Sequence, residues 1–473
     1  MLHAVKRLIP SSLLDVYHRL LAWAADFWYG HPSQKMIVIG VTGTNGKTTT
    51  AYLIAKMLEA GGVKTGCTTT ALIKVADREW LNSSKMTMMG RFALQKLLRQ
   101  MVDAGCTYAV VETSSQGIVQ HRHERIAYDV CVFTNLTPEH IEAHGGFENY
   151  KQAKIELFRH LASLPAKKID GREVPRVSVL NADDAHAKDF AAAGVKQIIW
   201  YGTGENADIR ATDIRETATG VSFDLSTVIP LKKGIQEISE NDISDGSPGL
   251  RLTSPEDDMR EDEGRKIKVN LKLMGRVNVL NVLAALSVAQ AVDVAFDQAI
   301  EKLENIEGIP GRFERIQAGQ SFTVLVDYAA EPEAVRRLYE TVKTIPHEKI
   351  IHVLGSCGGG RDVARRPVMG KLAAENADLV VVTNEDPYDD DPREIMEDVA
   401  RGAREAGKKD DVDLFVVQDR MNAIRRAMEL AGPNDLVLLT GKGCETWICA
   451  ADGKKLPWDE REAARQAIRE TMG

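Results

Sequence analysis

Residues 40–49 read Gly-Val-Thr-Gly-Thr-Asn-Gly-Lys-Thr-Thr and overlap the end of the apolar run MIVIGV at positions 36–41. A segment with helical periodicity, 48–58, comes next. A short apolar run, a glycine-rich turn and a helix, in that order, predict the opening of an α/β unit. This stretch therefore places the chain in the α/β class.

The glycine-rich turn also predicts a phosphate-binding loop. Its backbone amides can surround an anion, Lys47 can reach the terminal phosphates of a nucleotide, and the Thr48 hydroxyl can bind Mg²⁺. The strict pattern has glycine five positions before Gly46, where this chain has Val41. The location between a strand and a helix still favours nucleotide binding over a structural turn. The residues expected to contact the phosphates are Gly43, Thr44, Asn45, Gly46, Lys47, Thr48 and Thr49.

Alternating strands and helices continue to the C-terminus in two series. Apolar runs predict strands at 108–112, 130–134, 177–181 and 198–201 in the first series, and at 323–326, 350–354, 379–383, 414–417 and 436–439 in the second. A small β region at 207–228 and an acidic insertion at about 231–266 lie between them. We therefore expect three parts. They are an amphipathic helical segment at 1–34, a central P-loop ATPase domain with a parallel sheet at 35–309, and a C-terminal Rossmann-like α/β domain at 310–473.

Composition narrows the function classes. The chain has 473 residues, 60 Lys and Arg, and 68 Asp and Glu, which gives a net charge of −8. A mildly acidic chain gives no reason to expect a nucleic-acid partner. The six cysteines form no CxxC pair, as is typical of a reducing compartment. We expect a cytoplasmic monomer that acts on small molecules.

The N-terminal segment contains an apolar stretch at 13–29 that charged residues interrupt, so it does not predict a membrane span. The spacing of its apolar residues instead predicts an amphipathic helix docked on the main body. Weak contact with a membrane surface through this helix is the alternative. The residues of the expected apolar face are Leu13, Tyr17, Leu20, Leu21, Trp23, Ala24 and Phe27.

Three further residues have little weight singly but more in combination. Glu112 ends the strand YAVVE, where a carboxylate facing a phosphate loop can bind Mg²⁺. His140 follows the strand at 130–134, and Lys154 lies in a helical segment after it. Alone, each would more often be an ordinary solvent-exposed or core residue.

Many blocks in this order resemble the Mur ligases, most closely the branch that makes muramoyl tripeptides. The resemblance spans about residues 36–446 and is specific because the blocks keep their order. The matching blocks are GVTGTNGKTTT (40–50), ETSSQGIVQHR (112–122), FTNLTPEHIEAHG (133–145), YKQAK (150–154), NADD (181–184), GRVNVLNVLAAL (275–286), GIPGRFERI (308–316), VDYA (326–329), RDVARRPVMG (361–370) and GKGCE (441–445).

The resemblance implies an ATP-dependent amide-bond ligase in peptidoglycan precursor synthesis. A substrate carboxylate would attack the γ-phosphate of ATP, and the amine of an amino acid would then displace phosphate from the acyl phosphate. Such a reaction needs positioning and charge neutralisation rather than an enzyme nucleophile.

The resemblance also implies a role for individual residues. Lys47, His140 and Lys154 match catalytic positions, and Thr48, Glu112, His140 and Lys154 match the ligands of two Mg²⁺ sites, with Lys154 carbamylated by CO₂. The implied nucleotide contacts outside the loop are Asn281, Arg312 and Asp327. The implied substrate contacts are Ser114, Ser115, Arg122, Asp386, Tyr388 and Glu445.

Several departures from the family pattern bear on the substrates. The uridine-binding domain that normally precedes the phosphate loop has no counterpart in residues 1–34. The usual Thr-Thr-Pro substrate loop reads Lys-Met-Thr-Met-Met-Gly at 85–90, and the Asp-Asn-Pro-Arg motif reads Glu-Asp-Pro-Tyr at 385–388. Tyr388 cannot supply the bidentate cation that would bind the distal carboxylate of diaminopimelate. We therefore expect lysine or another amino acid as the amine.

Two alternatives remain open. One is a related ligase for a different acyl substrate without UDP, of the folylpolyglutamate type or linked to a lipid. The other is a nucleotide-binding subunit without catalysis. The joint presence of Lys47, Thr48, Glu112, His140 and Lys154 argues against the second, because a degenerate site should lose at least one of them.

Overall fold

The computed structural model describes residues 11–84, 86–138, 144–217, 219–228, 266–360 and 363–472. The strands are β1 (Ile37–Thr42), β2 (Thr65–Thr68), β3 (Leu72–Val75), β4 (Arg78–Leu81), β5 (Tyr108–Glu112), β6 (Val130–Phe133), β7 (Lys167–Ile169), β8 (Arg172–Val174), β9 (Val177–Asn181), β10 (Gln197–Gly202), β11 (Ile209–Thr217), β12 (Gly220–Thr227), β13 (Ile267–Leu271), β14 (Glu314–Ile316), β15 (Thr323–Val326), β16 (Ile350–Leu354), β17 (Leu379–Thr383), β18 (Leu414–Val417), β19 (Leu436–Leu439), β20 (Trp447–Cys449) and β21 (Lys455–Pro457).

The α-helices are α1 (Ser11–Trp28), α2 (Lys47–Met57), α3 (Arg91–Asp103), α4 (Ser115–Val119), α5 (Phe147–Ser163), α6 (Ala187–Ala191), α7 (Val277–Ala291), α8 (Phe296–Glu304), α9 (Pro332–Val342), α10 (Arg365–Asn376), α11 (Pro392–Glu405), α12 (Arg420–Leu430) and α13 (Glu460–Met472).

The larger sheet contains eleven of the described strands, in the order β13-β12-β11-β10-β9-β6-β1-β5-β2-β3-β4. Its centre, from β11 to β2, is parallel, which confirms the predicted parallel sheet. Both edges are antiparallel. On one side β12 pairs with β11 and β13 pairs with β12, and on the other side β3 pairs with β2 and β4 pairs with β3. The β region predicted at 207–228 is therefore an edge of this sheet.

Strand β1 lies at the centre of the larger sheet and positions the phosphate loop. Apolar side chains from both faces of the sheet are buried under helices, which explains the unbroken apolar run in its sequence. In the parallel register with β5, Val41 lies opposite Glu112, and with β6, Thr42 lies opposite Phe133. The carboxyl ends of these three strands therefore meet where the loop begins.

The second sheet has the order β14-β15-β19-β16-β17-β18 and is parallel except for the β14–β15 pair. Its five parallel strands coincide with the five predicted for the second series. Helices cover both faces, as in a doubly wound fold. The predicted combination of two α/β sheets with an N-terminal helix is confirmed.

Helix α1 forms as predicted, but a different face of it is buried. Ala22 and Ala25 are buried, at 2% and 0% exposure, whereas Leu20 and Phe27 of the expected face are about two-thirds exposed, at 60% and 63%. The small alanine side chains allow close packing of α1 on α3, which explains why they form the contact. Within the described residues, no helix is both long and apolar enough to span a bilayer.

Two predictions fall on residues that the structure does not describe. The acidic insertion predicted at about 231–266 lies almost wholly outside the described residues. His140 also lies outside them.

Candidate active site

The phosphate loop depends on two glycines at positions where a side chain would be strained or would collide with a neighbour. Gly43 has φ +148°, and a Cβ there would lie 1.9 Å from the Thr134 hydroxyl oxygen. Gly46 has φ +80° and would bring a Cβ within 2.7 Å of Asn281 Oδ1. Both positions are strained or blocked for residues with a side chain. The backbone can therefore fold tightly into the N-terminus of α2, as an anion nest requires.

Neighbouring residues hold the loop in this shape. The backbone amide of Asn45 donates to Asn135 Oδ1 at 2.9 Å, and the Thr44 hydroxyl lies 3.1 Å from the Tyr150 hydroxyl. Lys47 Nζ donates to the carbonyl of Thr44 at 2.7 Å, so its ammonium lies over the loop. A phosphate bound there would meet this positive charge directly.

Glu112 and Thr48 fit a hard cation such as Mg²⁺. The Thr48 hydroxyl lies 3.0 Å from each carboxylate oxygen of Glu112, and Glu112 is 1% exposed. Thr70 donates from its backbone amide at 2.7 Å and from its hydroxyl at 3.1 Å to the same carboxylate. Carboxylate and hydroxyl oxygens are the ligands that Mg²⁺ prefers. Among the described residues, no three His, Cys, Asp and Glu side chains form a metal cluster, so phosphate and water oxygens would complete the shell.

Lys154 lies directly beneath the phosphate loop. Its side chain is buried at 1% exposure, and its Nζ donates to the carbonyl of Gly43 at 2.6 Å. The ammonium also lies 4.5 Å from the centre of the Tyr150 ring. Lysine side chains are almost never fully buried unless they are paired, so Lys154 differs from an ordinary solvent-exposed lysine on a helix. Its place agrees with a role at the phosphates.

The predicted nucleotide contacts from the rest of the chain line the same cavity of about 410 Å³ as the loop. Asn281 on α7 accepts from the Thr50 hydroxyl at 3.1 Å. Asp327, at the end of β15, accepts from the backbone amides of Phe313 and Ala329, each at 2.7 Å. Burial raises the pKa of Asp327, and the nearby charge of Arg312 counteracts part of this rise.

Arg312 lies between the two sheets. Its Nη2 donates to the Thr48 hydroxyl at 3.3 Å, and its guanidinium lies 4.3 Å from the centre of the Tyr328 ring. The Tyr328 hydroxyl in turn donates to Glu445 Oε1 at 3.4 Å. A continuous set of contacts therefore joins the phosphate loop to the end of β19.

A buried charge cluster follows β17 and β19. Lys442, which is fully buried, donates to Asp386 Oδ1 at 3.0 Å, to Glu445 Oε2 at 2.6 Å and to the carbonyl of Trp447 at 2.7 Å. Asp386 also accepts from the backbone amide of Cys449 at 2.7 Å. The single ammonium of Lys442 thus offsets part of the negative charge of both carboxylates. It also holds the predicted substrate residues Asp386 and Glu445 in place.

Tyr388 has a left-handed backbone, with φ +53°. Its amide donates to the carbonyl of Cys449 at 3.1 Å, and its ring packs so close to Gly359 that a Cβ there would lie 2.9 Å from the ring. Tyr388 therefore forms a side wall near the buried cluster.

The remaining predicted substrate residues lie at α4. The hydroxyl of Ser114 accepts from the amide of Gly117 at 3.1 Å and caps this helix. Ser115 Oγ lies 3.1 Å from His144 Nε2. Arg122 Nη2 donates to the Gln120 side chain at 2.6 Å, and its Nη1 donates to the carbonyl of Met88.

Sequence reasoning missed two residues that the structure brings into the site. Thr70 binds Glu112, although it lies in a loop between two short strands that the pattern did not predict. Lys442 organises the cluster at Asp386 and Glu445. The signal for Lys442 was its place between two glycines after an apolar strand, because ligands bind outside the carboxyl ends of strands in open α/β sheets.

Two family models match successive parts of the chain. The Mur ligase middle domain matches residues 41–289, and the glutamate ligase domain of Mur ligases matches residues 311–443. A UDP-N-acetylmuramyl-tripeptide synthetase from Roseiflexus sp. (strain RS-1) is 39% identical over 469 residues, which cover 98% of this chain and 84% of the relative.

Two other similar proteins are named as diaminopimelate ligases. A UDP-N-acetylmuramoyl-L-alanyl-D-glutamate–2,6-diaminopimelate ligase from Geobacillus kaustophilus (strain HTA426) is 35% identical over 463 residues, with 98% of this chain and 85% of the relative covered. A solved structure of a ligase with this name has 26% identity and a TM-score of 0.58, and the match covers 93% of this chain and 79% of that one. The chain belongs to the Mur ligase family of ATP-dependent ligases.

Proposed function

We propose that this chain joins an amino acid to the carboxylate of a muramoyl-peptide acyl substrate in peptidoglycan precursor synthesis. The observation that carries this proposal is the position of Arg312, which contacts Thr48 of the phosphate loop and Tyr328 beside Glu445. The phosphate site and the acidic cluster therefore lie on one continuous surface. An acyl group activated at the loop would be near an amine held at the cluster.

Different residues would have different roles in such a reaction. ATP supplies the phosphoryl group that activates the carboxylate. The side chains of Lys47 and Arg312 would neutralise negative charge on the phosphates, and Glu112 with Thr48 would hold Mg²⁺. None of these residues needs to form a covalent bond with the substrate. Together these residues would hold the negatively charged carboxylate close to the negatively charged phosphates of ATP, although the two repel each other in water.

Lys154 is proposed to carry a carbamate derived from CO₂. An unmodified ammonium would repel a metal ion, whereas a carbamate would offer anionic oxygen atoms as ligands. The support is its burial and its distance of 2.6 Å from the Gly43 carbonyl at the start of the loop. Together with His140, the carbamate would form a second Mg²⁺ site.

The acyl substrate is proposed to be a UDP-muramoyl dipeptide, as the names of the relatives suggest. The unusual segment 85–90 gives a specific reason to test a second class, a muramoyl peptide without UDP. The Thr87 hydroxyl in this segment lies 2.9 Å from the Thr70 hydroxyl, and the backbone amide of Thr70 donates to Glu112. The segment therefore borders the place where the acyl carboxylate would react.

The amine is proposed to be lysine or another amino acid without a distal carboxylate. Asp386 and Glu445 can bind an ammonium group, and Tyr388 offers no cation for a second carboxylate. Several relatives are named as diaminopimelate ligases, so this proposal states that the chain differs from them in its amine substrate.

A phosphate-release assay with ATP and Mg²⁺ tests the proposed function. Each acyl candidate, with and without UDP, is combined with lysine, diaminopimelate, glutamate or alanine, and the amide product is measured by mass spectrometry. We expect phosphate release only when a muramoyl peptide and an amine are both present. Release without an amide product, or no release with any muramoyl peptide, would contradict the proposal.

A matched pair of variants links this activity to the site. Thr48→Ala removes a hydroxyl that contacts Glu112 and should abolish amide formation. Thr344→Ala removes an exposed hydroxyl that donates to the carbonyl of Thr341 in its own turn, and it should leave activity unchanged. Full activity of Thr48→Ala would contradict the role of this site, and no amide formation by the wild type or by either variant would favour a nucleotide-binding protein without catalysis.

A further inference from the structure

Two arginines from separate elements meet at Gln120. Arg91, the first residue of α3, donates from its Nη2 to the backbone carbonyl of Gln120. Arg122 donates from its Nη2 to the side-chain oxygen of Gln120 at 2.6 Å. Their guanidinium groups are therefore held on the two sides of one residue.

Nothing in the described part of the chain neutralises these two positive charges directly. No carboxylate there lies within 4 Å of either guanidinium, and the buried Nε atoms of Arg91 and Arg122 have no hydrogen-bond partner. Burial lowers the pKa of both residues. The charge of Arg122 lowers the pKa of Arg91 further, and the more distant charge of Glu124 offsets part of this effect. Two partly buried like charges with unused donors are unfavourable unless an anion binds between them.

The arginine pair lies next to the segment that borders the reaction site. Arg122 also donates to the carbonyl of Met88, and the hydroxyl of Thr87, one residue earlier, lies within hydrogen-bond distance of the Thr70 hydroxyl. Thr70 in turn binds the Glu112 carboxylate. A substrate whose reacting carboxylate is near Glu112 would extend along residues 87–88 toward the two arginines.

We propose that Arg91 and Arg122 form a two-arginine subsite for a second anionic group of the acyl substrate, remote from the carboxylate that is activated. The inference rests on the proposed function for the identity of that substrate. Guanidinium groups bind carboxylates and phosphates through paired N–H donors, so the anionic group at this subsite can be either a carboxylate or a phosphate. Arg91 is the new element, because the family resemblance assigns a substrate role only to Arg122.

Steady-state kinetics of Arg91→Ala test the subsite. Loss of a charge-assisted hydrogen bond should raise the KM for the acyl substrate about 10- to 100-fold, whereas kcat and the KM values for ATP and amine should stay close to the wild-type values. Arg91→Lys should keep the charge and recover part of the loss. A purely structural role would change all of these constants together.

Arg99→Ala is the matched control. Arg99 lies on the same helix, and its guanidinium pairs with Asp103 at 2.6 Å. It should leave the KM for the acyl substrate unchanged. Equal effects of Arg91→Ala and Arg99→Ala would overturn the subsite.

Two acyl substrates identify the anionic group that binds. A muramoyl dipeptide with UDP carries a pyrophosphate and a peptide carboxylate, whereas the UDP-free form carries only the carboxylate. A KM penalty from Arg91→Ala on both substrates assigns the carboxylate as the ligand. A penalty on the UDP form alone assigns the pyrophosphate.

A binding measurement separates failure of the subsite from failure of the proposed function. With the phosphate loop filled by Mg²⁺ and a non-hydrolysable ATP analogue, pyrophosphate or glutarate is titrated and thermal unfolding is followed. Stabilisation of the wild type but not of Arg91→Ala supports the subsite even if no muramoyl peptide reacts. Equal stabilisation of both proteins, or of neither, overturns it, whether or not the ligase reaction is found.

Discussion

Arg312 donates a hydrogen bond to the hydroxyl of Thr48 across 3.3 Å, although the two residues are 264 positions apart in the chain. Thr48 lies in the first turn of the helix after the phosphate loop, and Arg312 precedes the first strand of the second sheet. Arg312 therefore places a positive charge on one side of the cavity between the two sheets, and the phosphate loop lies on the other side. This contact joins two distant parts of the sequence in one site.

Arg312→Ala should lower kcat/KM for ATP about 10- to 100-fold, because a charge-assisted hydrogen bond is worth about 1.5–3 kcal/mol. The cation–π contact with Tyr328 would be lost as well. Initial rates at varied ATP concentration measure the effect. Arg336→Ala, which removes an exposed arginine paired with Glu333, should have none. A normal kcat/KM in Arg312→Ala would show that the arginine does not act on the nucleotide.

Lys154→Ala should abolish turnover, and a short carboxylate such as formate or acetate should restore part of it. The small anion would occupy the space of the lost carbamate and offer oxygen ligands. Phosphate release with and without the added carboxylate measures the rescue. Lys151→Ala, one turn earlier on α5 and paired with Glu148 and Asp189, serves as the control. Full activity of Lys154→Ala would refute the carbamate.

Tyr388→Arg should shift the amine preference toward diaminopimelate. The backbone at this position already has φ +53°, so arginine meets the same strain as tyrosine and the fold should tolerate it. The ratio of kcat/KM for diaminopimelate and lysine should rise at least 10-fold, because a bidentate cation gains a carboxylate partner. Diaminopimelate as the better amine of the wild-type enzyme would contradict the specificity argument.

Local sequence predicted the parts of the site that lie within one strand–loop–helix unit. The phosphate loop is readable because Gly43, Gly46, Lys47 and Thr48 lie within six residues and their chemistry depends on backbone shape. Glu112 was readable because parallel strands end at the same edge of a sheet. The five parallel strands of the second sheet were likewise continuous apolar runs.

Other features depend on contacts that no spacing encodes. Strands β2, β3 and β4 have four residues each, and only their pairing at the edge of the sheet defines them. The meeting of Arg91 and Arg122 at Gln120 joins residues that are about thirty positions apart. Helix α1 was predicted correctly, but its buried face was not, because periodicity identifies an apolar stripe without identifying what covers it.

Buried histidines should make the fold sensitive to acid. Burial lowers the pKa of His123 and of His352 to about 3, below the ordinary value of 6.5. Between these values the unfolded chain binds protons that the folded chain does not, so stability is complete above pH 6.5 and falls as the pH drops. Each histidine contributes about 1.4 kcal/mol per pH unit in that range. Asp129 acts in the opposite direction, because burial raises its pKa to about 6.

A comparison of His352→Gln with the wild type isolates one of these protons. His352 lies between the hydroxyls of Tyr339 and Thr440, at 2.6 Å and 2.9 Å, so the variant should be less stable at neutral pH. Its free energy of unfolding should nevertheless fall less steeply between pH 6 and pH 4, by about 1.4 kcal/mol per pH unit. Urea unfolding at several pH values gives both slopes. Identical slopes would mean that His352 titrates normally in the folded protein.

Transfer of an oxygen isotope from the acyl substrate to phosphate tests whether ATP activates the carboxylate. The acyl substrate is labelled with ¹⁸O in its reacting carboxylate, incubated with ATP, Mg²⁺ and the amine, and the released phosphate is analysed by mass spectrometry. Activation of the carboxylate by ATP predicts that each phosphate released with an amide carries one ¹⁸O atom. Amide formation with unlabelled phosphate would contradict the account.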